Sequence, residues 1–394
     1  MNRLKLNTDG QQALQSFAQA LVRTPSPSGG EGAVADLIAA EMRRLGFDEV
    51  LIDEDGNVLG RVGPATGQAL MLNSHMDTVG ITDRAAWTVD PYAGEIDNGR
   101  LYGLGACDMK GGLAATVYGA ALLRQRAVQL RGPVWVTCVG LEEPSEGTCT
   151  RALMEAGRVA PQWVVIAEPS GLNVVRAQRG HVEMLVTVKG KSAHSSTPEL
   201  GDNAVYAASR LIFGLEILAG QLVTDPFLGS GILAVTDIHS QAVSRNAVPH
   251  RCELLLDRRL TVGETETMAL QQVQRVIARE GLDADVQVID ETIRTYTGKT
   301  FRARRVSPPW AFDERHPLVQ AMLQAARSAG LHPDITRWNF ATEGAYTAGC
   351  AGVPTVGLGP GDPKMAHTNN EYVRLEQVFA AAEVYAALGQ ALLG

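Results

Sequence analysis

The stretch Ala69-Leu-Met-Leu-Asn-Ser-His75-Met-Asp77 joins a short apolar run to a histidine and an aspartate at its end. A run of this length, bounded by polar residues, is typical of a buried strand in an α/β sheet. Similar runs occupy residues 49–53, 57–62, 134–139 and 163–167. Apolar residues at helical spacing separate several of them, at 113–123 and 151–156. This alternation predicts an α/β fold with a mixed, mostly buried sheet.

The pattern changes near residue 180, where apolar residues alternate with their neighbours as in a half-exposed strand. The predicted order that follows is strand, helix, strand, strand, helix and strand, at 182–188, 204–218, 232–238, 252–258, 265–280 and 284–289. This β-α-β-β-α-β order is that of a ferredoxin-like unit. Beyond residue 295 the α/β pattern resumes, with a helix at 318–329, an apolar run at 353–358 and a closing helix at 375–392. We therefore predict a discontinuous domain of residues 1–179 and 294–394, with an inserted ferredoxin-like α+β domain at 180–293.

Composition excludes several classes of protein. The chain has 394 residues and a net charge of −8, with 5% aromatic residues. Nucleic-acid binders are normally basic, so this class is disfavoured. No run of about 18 apolar residues occurs, which predicts no membrane-spanning helix. Five cysteines without C-x-x-C spacing and an N-terminus lacking a signal-like apolar run predict a cytoplasmic protein with reduced thiols.

Acidic residues and histidines cluster after the predicted strands. His75 and Asp77 end the first stretch, and Glu142-Glu143 follow the strand at 134–139. Glu168 follows the strand at 163–167, and His367 lies in the loop after 353–358. Taken singly, each has an ordinary structural explanation, such as a polar strand end, a solvated acidic turn or a surface histidine.

Asp108 lies in a glycine-rich loop, Gly103-Leu-Gly-Ala-Cys107-Asp108-Met-Lys-Gly-Gly112, that precedes a predicted helix. The loop lacks the Walker pattern, and it fails the dinucleotide fingerprint at the third glycine. A phosphate cradle is therefore disfavoured. In isolation, the simplest explanation of Asp108 is a helix-capping residue.

The combination of these residues points to metal chemistry. Ligands bind at the carboxyl ends of strands in open α/β sheets, and these side chains all lie just past strands or in the loops that follow them. Two imidazoles and several carboxylates suit a pair of divalent ions, bridged by a shared aspartate, with an intervening hydroxide as nucleophile. Such mixed nitrogen and oxygen ligands favour two Zn²⁺, with Co²⁺ or Mn²⁺ as possible substitutes.

The chain resembles the dinuclear zinc amidohydrolases and peptidases that include acetylornithine deacetylase, succinyl-diaminopimelate desuccinylase, aminoacylase and carboxypeptidase G. The resemblance runs from about residue 25 to 367. It rests on these motifs: His75-x-Asp77, Gly105-x-x-Asp108-x-Lys110-Gly-Gly, Glu142-Glu143, Ala167-Glu168-Pro and His367. It implies a zinc-exopeptidase-like mixed-sheet catalytic domain with an inserted ferredoxin-like lid and dimerisation domain, which agrees with the prediction from the strand and helix order.

The resemblance also implies a role for each residue of the predicted site. One zinc ion is expected on His75, Asp108 and Glu168, and the other on Asp108, Glu143 and His367. Glu142 would be the general base, and Asp77 would orient His75. Members of the family often have a cis peptide bond after the bridging aspartate, here Asp108–Met109.

In the insert, the segment 192–204 resembles the family segment whose histidine, here His194, reaches the partner subunit's site to stabilise the oxyanion. Asn246 and Arg259 resemble family positions that bind the substrate's carboxylate, and Arg337 is a further candidate. Because neighbouring strand residues face opposite sides, only one of Arg258 and Arg259 can face the site, and the sequence leaves Arg258 open as the alternative. The resemblance implies a homodimer formed through the insert.

We therefore expect hydrolysis of an amide bond in a small N-acyl amino acid or dipeptide, without nucleic-acid or membrane partners. The alternative is a non-catalytic small-molecule binding module that keeps the fold. Within the family the chain is most similar to a subgroup described as selenium-metabolism-linked hydrolases, on stretches such as Gln178-Arg-Gly and Gly357-Leu-Gly-Pro-Gly. Cys107 departs from the small hydroxyl residues common there. A packed small residue is the simplest explanation, and a redox-sensitive thiol or an extra ligand are the alternatives.

Overall fold

The computed structural model describes residues 4–81 and 83–394. The α-helices are, in chain order, α1 Thr8–Arg23, α2 Gly32–Arg44, α3 Gly111–Gln125, α4 Thr148–Glu155, α5 Ala204–Ala219, α6 Glu266–Arg279, α7 Pro317–Ser328 and α8 Leu375–Leu393. The strands up to the second sheet are β1 Glu49–Ile52, β2 Val58–Val62, β3 Leu70–His75, β4 Glu95–Asp97, β5 Arg100–Tyr102, β6 Val134–Val139, β7 Trp163–Ile166 and β8 Val174–Gln178. The later strands are β9 Gly180–Lys189, β10 Thr224–Asp225, β11 Gly229–Ser230, β12 Ile232–Gln241, β13 Arg251–Leu260, β14 Ala284–Val288, β15 Asp290–Arg294, β16 Thr300–Arg304, β17 Val306–Ser307, β18 Trp310–Ala311, β19 Ile335–Trp338, β20 Thr355–Gly357 and β21 Tyr372–Arg374.

A nine-stranded mixed sheet forms the larger part of the fold, in the order β1-β2-β6-β3-β7-β20-β8-β18, with β19 also paired to β8. Its centre is parallel, because β3 pairs in parallel with β6 and β7, and β20 pairs in parallel with β7. The outer pairs β1–β2 and β2–β6 are antiparallel. The α/β fold class with a mixed sheet is as the sequence predicts.

Both faces of this sheet are buried, which explains the continuous apolar runs. On β3, Leu70 and Leu72 pack into the core that contains α3 and α8, whereas Met71 packs with Leu153 of α4 on the opposite face. Helix α3 packs against β3, β6 and α8, and it is buried from Gly111 to Leu123. A strand with apolar neighbours on both sides needs apolar residues at every position.

A second sheet has the order β12-β13-β9-β14, all antiparallel, with β17 added to β9. Helices α5 and α6 cover one face with a separate apolar core. The chain order β9-α5-β12-β13-α6-β14 and this strand order are those of a ferredoxin-like unit. We propose 180–293 as the extent of the insert, although the hairpin β15–β16 crosses residue 293 and β17 returns to the insert's sheet.

None of the described helices has the length and the apolar character that a bilayer crossing requires.

Candidate metal centre

Four parallel strands bring their carboxyl ends to one edge of the large sheet, as expected for ligand sites in α/β folds. His75 is the last residue of β3, and Glu142 and Glu143 follow β6. Glu168 follows β7, and His367 lies in the loop after β20. The strand order β6-β3-β7-β20 therefore determines which of these side chains are neighbours.

Asp108 reaches the same edge from the turn before α3, and two glycines allow this close approach. A Cβ at Gly112 would lie 2.3 Å from the carbonyl oxygen of Ala167, and a Cβ at Gly359 would lie 2.2 Å from the same atom. These glycines thus let the start of α3 and the loop after β20 pack directly against the end of β7. The Asp108–Met109 peptide bond is cis.

His75 is the centre of one half of the cluster. Its Nε2 lies 3.1 Å from Asp108 Oδ1 and 3.3 Å from Glu168 Oε1. The same nitrogen lies 3.9 Å from Glu142 Oε2. The side chain of His75 is 1% exposed, and those of Glu168, Glu142 and Asp108 are 4%, 8% and 12% exposed, so all four groups are largely shielded from solvent.

His367 forms the other half, closer to solvent. Its Nε2 lies 3.0 Å from Glu143 Oε2 and 3.4 Å from Asp108 Oδ2. Asp108 therefore directs one carboxylate oxygen to each histidine. This is the position that a bridging ligand between two ions requires.

The protein's own charges are poorly balanced in this cluster. Burial and the neighbouring Asp108 raise the pKa of Glu168 to about 8. Burial also raises the pKa of Glu142 well above its usual value, and raises that of Glu143. Burial opposes ionisation of Asp108 as well, but hydrogen bonds with His367 and His75 hold its pKa well below its usual range. Four carboxyl groups that are shielded from solvent lie beside only two imidazoles. Bound cations would balance the negative charge that these carboxyl groups carry when ionised.

Asp77 organises the segment that carries both glutamates. Its two carboxylate oxygens accept the backbone N–H groups of Glu142, at 3.1 Å, and Glu143, at 3.2 Å. Ser28 Oγ donates to the same carboxylate at 2.7 Å. The Nδ1 of His75 lies 2.9 Å from the carbonyl oxygen of Asp77 and 3.6 Å from its carboxylate. Asp77 is thus closest to His75 through its main chain, and its side chain contacts the Glu142–Glu143 backbone.

Sequence reasoning missed Glu371, a carboxylate that is 1% exposed. It accepts the backbone N–H groups of Gly105, Cys107 and Asp108 at 2.7–2.9 Å. Glu371 therefore fixes the turn that presents Asp108. The only signal in the sequence is its position four residues after His367, which does not show which backbone it contacts.

A cavity of about 260 Å³ opens onto the cluster. Besides Asp108, Glu142, Glu143, Glu168 and His367, it is lined by Glu146, Arg259, Phe340, Ala341, Pro363 and Ala366. Arg258 faces the other way, is 1% exposed and pairs with Glu264 inside the insert. Of the two candidate arginines, Arg259 is the one at the cavity.

The remaining candidates lie elsewhere in the chain. Arg337 lines a neighbouring cavity of about 500 Å³. His194 and Asn246 are exposed residues of the insert and do not line the cavity at the cluster. Cys107 is buried, and its Sγ lies 3.4 Å from the carbonyl oxygen of Asp362. Burial and nearby carboxylates raise the pKa of this thiol well above its usual value, which favours a packed neutral residue.

The donor atoms fit divalent ions. Two sets of side chains each place one ligand atom per residue within 4.8 Å of the others, namely His75, Asp108 and Glu143, and His75, Glu142 and Glu168. Imidazole nitrogen and carboxylate oxygen are ligands that zinc accepts readily. The cluster can therefore hold metal.

Comparisons with known proteins agree with this geometry. Residues 71–391 match the model of the peptidase family M20/M25/M40. The chain is 34% identical over 381 residues to the Escherichia coli (strain K12) protein named YgeY, covering 96% of this chain and 94% of that protein. It is 29% identical over 376 residues to a succinyl-diaminopimelate desuccinylase of Cereibacter sphaeroides, covering 93% of this chain and 95% of that enzyme.

Among solved structures, the fold matches Bacillus subtilis YxeP, described as a dinuclear metal-binding peptidase of the M20 family, with a TM-score of 0.73. The sequences are 17% identical, and the match covers 98% of this chain and 99% of YxeP. The family model and the relatives, together with the cluster of histidines and carboxylates, identify the chain as a metal-dependent amidohydrolase that belongs to the peptidase family M20/M25/M40.

Proposed function

We propose that the protein hydrolyses the amide bond of a small N-acyl amino acid or dipeptide with two bound zinc ions. The observation that carries this proposal is the position of Asp108, whose two oxygens are divided between His75 and His367. A single-ion site has no need of a carboxylate shared in this way. The distances support His75, Asp108 and Glu168 as one ligand set, and Asp108, Glu143 and His367 as the other.

Zinc bound at these residues would polarise the substrate carbonyl and lower the pKa of an attacking water. In this assignment Glu142 is not needed as a ligand, and its carboxyl group lines the cavity. Burial raises its pKa, so Glu142 can take a proton from water and deliver it to the leaving amine. Asp77 supports this role because it holds the backbone of Glu142.

Arg259 is the proposed partner of a substrate carboxylate, because it lines the same cavity as the metal cluster. A guanidinium binds a carboxylate through two parallel hydrogen bonds, which fixes the distance from that group to the scissile amide. Arg337 lies at a neighbouring cavity, so it would contact only a longer substrate. Phe340 and Ala341 provide an apolar wall for the substrate's side chain.

We also propose a homodimer formed through the insert. Exposed apolar side chains gather on α5 and on β12, which is the edge strand of the insert's sheet, and they include Tyr206 at 69%, Phe213 at 66%, Ile217 at 55% and Ile238 at 50% exposure. An apolar patch beside an unpaired strand edge is suited to a second copy of the chain. In such a dimer, His194 and Asn246 would complete the partner's site, with His194 donating to the oxyanion.

The test of the proposed function is the Glu142→Gln variant, assayed against N-acetyl, N-succinyl and dipeptide amides. The variant should retain two zinc ions by elemental analysis but lose 10²-fold to 10⁴-fold in kcat, the usual range for a general base. Glu95→Gln, on an exposed strand, is the matched control and should keep full activity. Full activity of Glu142→Gln, or a wild-type protein that binds zinc but cleaves none of the amides, would contradict the proposal.

A further inference from the structure

On the face of the insert's sheet that lies opposite its helices, four polar residues are neighbours at the start of β9 and the end of β13. His181 pairs directly with Arg259 across β9 and β13, and Glu183 pairs with Asp257. Side chains alternate along a strand, so these four share one face. Val182 and Arg258, their neighbours, are buried on the other face. The polar face therefore includes Arg259, which lines the cavity at the metal cluster.

His181 lies among carboxylates of three different segments, β13, β9 and the loop after β6. Its Nε2 is 3.3 Å from Asp257 Oδ2 and 3.6 Å from Glu183 Oε1. Its Nδ1 is 3.9 Å from Glu146 Oε1, on the loop that follows Glu142 and Glu143. The imidazole side chain is 9% exposed. His181 thus links β13 of the insert to the loop that carries the catalytic carboxylates.

Asp257 in turn holds Arg259. The Arg259 Nε and Nη2 each donate to one carboxylate oxygen of Asp257, both at 2.8 Å. A bidentate pair of this kind fixes the plane of the guanidinium group as well as its position. The orientation of Arg259 at the cavity therefore depends on where Asp257 is held.

The surrounding carboxylates favour a protonated imidazole at position 181. Glu146, Glu183 and Asp257 surround the imidazole, and Glu146 also accepts a hydrogen bond from Ser307 at 3.1 Å. Burial lowers the pKa of His181, but Asp257 and Glu146 outweigh this effect and raise it to about 9. A neutral side chain at position 181 would leave Glu146 without a cationic partner close to the acidic metal cluster, whereas Asp257 would keep only Arg259.

We propose that His181 is a positioning residue that fixes Arg259 through Asp257, and so makes the enzyme selective for amides that carry a carboxylate. The inference rests on the proposed function, since it assigns a carboxylate partner to Arg259. It adds a chain of contacts, Glu146–His181–Asp257–Arg259, that ties substrate recognition in the insert to the loop holding the general base.

The test compares wild-type, His181→Gln and Asp257→Asn proteins, all loaded with zinc. Each is assayed on an N-acetyl amino acid and on the same compound with its carboxylate converted to a carboxamide. Both variants should raise KM for the carboxylate substrate by about tenfold or more, as expected for a lost charge-assisted contact, with little change in kcat. The carboxamide should be cleaved as by wild type. The double variant should resemble each single one, because the residues act in series.

His332→Gln makes the same substitution at an exposed position and is the matched control. It should leave KM and kcat for both substrates unchanged. Equal losses on the carboxylate and the carboxamide, or a fall in kcat alone, would overturn the inference while leaving the proposed function intact. If the wild type cleaves no amide, the proposed function fails. Calorimetric binding of the N-acetyl amino acid then decides the inference, which is refuted if wild type and His181→Gln bind it equally.

Discussion

At the scale of single residues, Glu371 controls the position of Asp108 most directly. It accepts three backbone N–H groups from the turn that contains Asp108, and it is almost fully buried. In Glu371→Gln, one of the two oxygens that accept backbone N–H groups is replaced by an amide N–H₂ group. That group is a donor and cannot accept the hydrogen bond. We expect zinc affinity to fall by about 10-fold to 100-fold, as for other residues that support metal ligands. Competition with a chromophoric chelator measures this change.

Glu376→Gln is the matched control, since Glu376 is 75% exposed at the start of α8. It should leave zinc affinity unchanged. An unchanged affinity in Glu371→Gln as well would show that the turn holds Asp108 without this carboxylate.

The sequence predicts the cluster of His75, Asp108, Glu142, Glu143, Glu168 and His367. Each of these residues lies just after a strand or in a loop, and the order of the strands brings them to one edge of the large sheet. The sequence does not predict Glu371, Glu146 or His181. Their partners are backbone groups and side chains of distant segments, such as the contact between His181 and Glu146. Short local patterns show which residues can ionise, but they do not show which backbone donors lie beside them.

At the scale of elements, the outer face of α5 is the strongest candidate for a contact between subunits. Its residues Tyr206, Phe213 and Ile217 are all more than half exposed. A charge introduced by Phe213→Glu would have to be desolvated in the dimer, so we expect dissociation to monomers in sedimentation equilibrium. Met268→Glu, on α6 of the same insert, is the control and should remain dimeric.

A mixing experiment tests whether that dimer shares its sites. Glu142→Gln and His194→Ala should each be nearly inactive alone. In a mixed dimer, one site combines an intact Glu142 with the partner's intact His194, so an equal mixture should recover about a quarter of wild-type activity. Absence of recovery in a confirmed mixed dimer would refute the shared site.

The boundaries of most elements agree with the sequence prediction where apolar periodicity is strong, as in β6 and α5. The strand at 353–358 is shorter in the structure, at Thr355–Gly357. Its flanking residues instead form the loops that pack against β7, where Gly359 approaches the Ala167 carbonyl oxygen. An apolar run predicts that its residues are buried. Buried loops and buried strands have similar amino-acid compositions, so the run does not show which of the two will form.

At the scale of the whole molecule, two patterns of apolar residues predict two kinds of fold. Continuous apolar runs predict the α/β domain, and alternating apolar residues predict the sheet of the insert. The sequence does not predict how the insert meets the large sheet, because the contacts at that junction join segments that are distant in the sequence. One of them is the pairing of β17 with β9, which consists of two residue pairs, Val306 with Val182 and Ser307 with His181. Such short pairings leave no periodic signal.

The acidity of the metal centre should make the stability of the metal-free protein fall as pH rises. Burial and Asp108 raise the pKa of Glu168 from 4.5 to about 8, and burial raises that of Glu371 to about 8. Between pH 4.5 and about pH 8, these two carboxyl groups bind more protons in the folded state than in the unfolded state. The free energy of unfolding therefore decreases as pH rises through this range. His367, whose pKa is raised from 6.5 to about 10 by Asp108 and Glu143, adds a decrease of the same sign above pH 6.5.

Bound zinc should remove the parts of this dependence that come from Glu168 and His367, because these proposed ligands bind metal only when deprotonated. The difference in Tm between zinc-loaded and chelator-treated protein should therefore widen from pH 5.5 to pH 8, by about 5 °C or more. Differential scanning calorimetry at fixed ionic strength measures it. Glu168→Gln cannot ionise at this position, so its metal-free form should lose less stability over the same range. A metal-free wild-type Tm that rises between pH 5.5 and 8 would contradict the raised pKa values of Glu168 and His367.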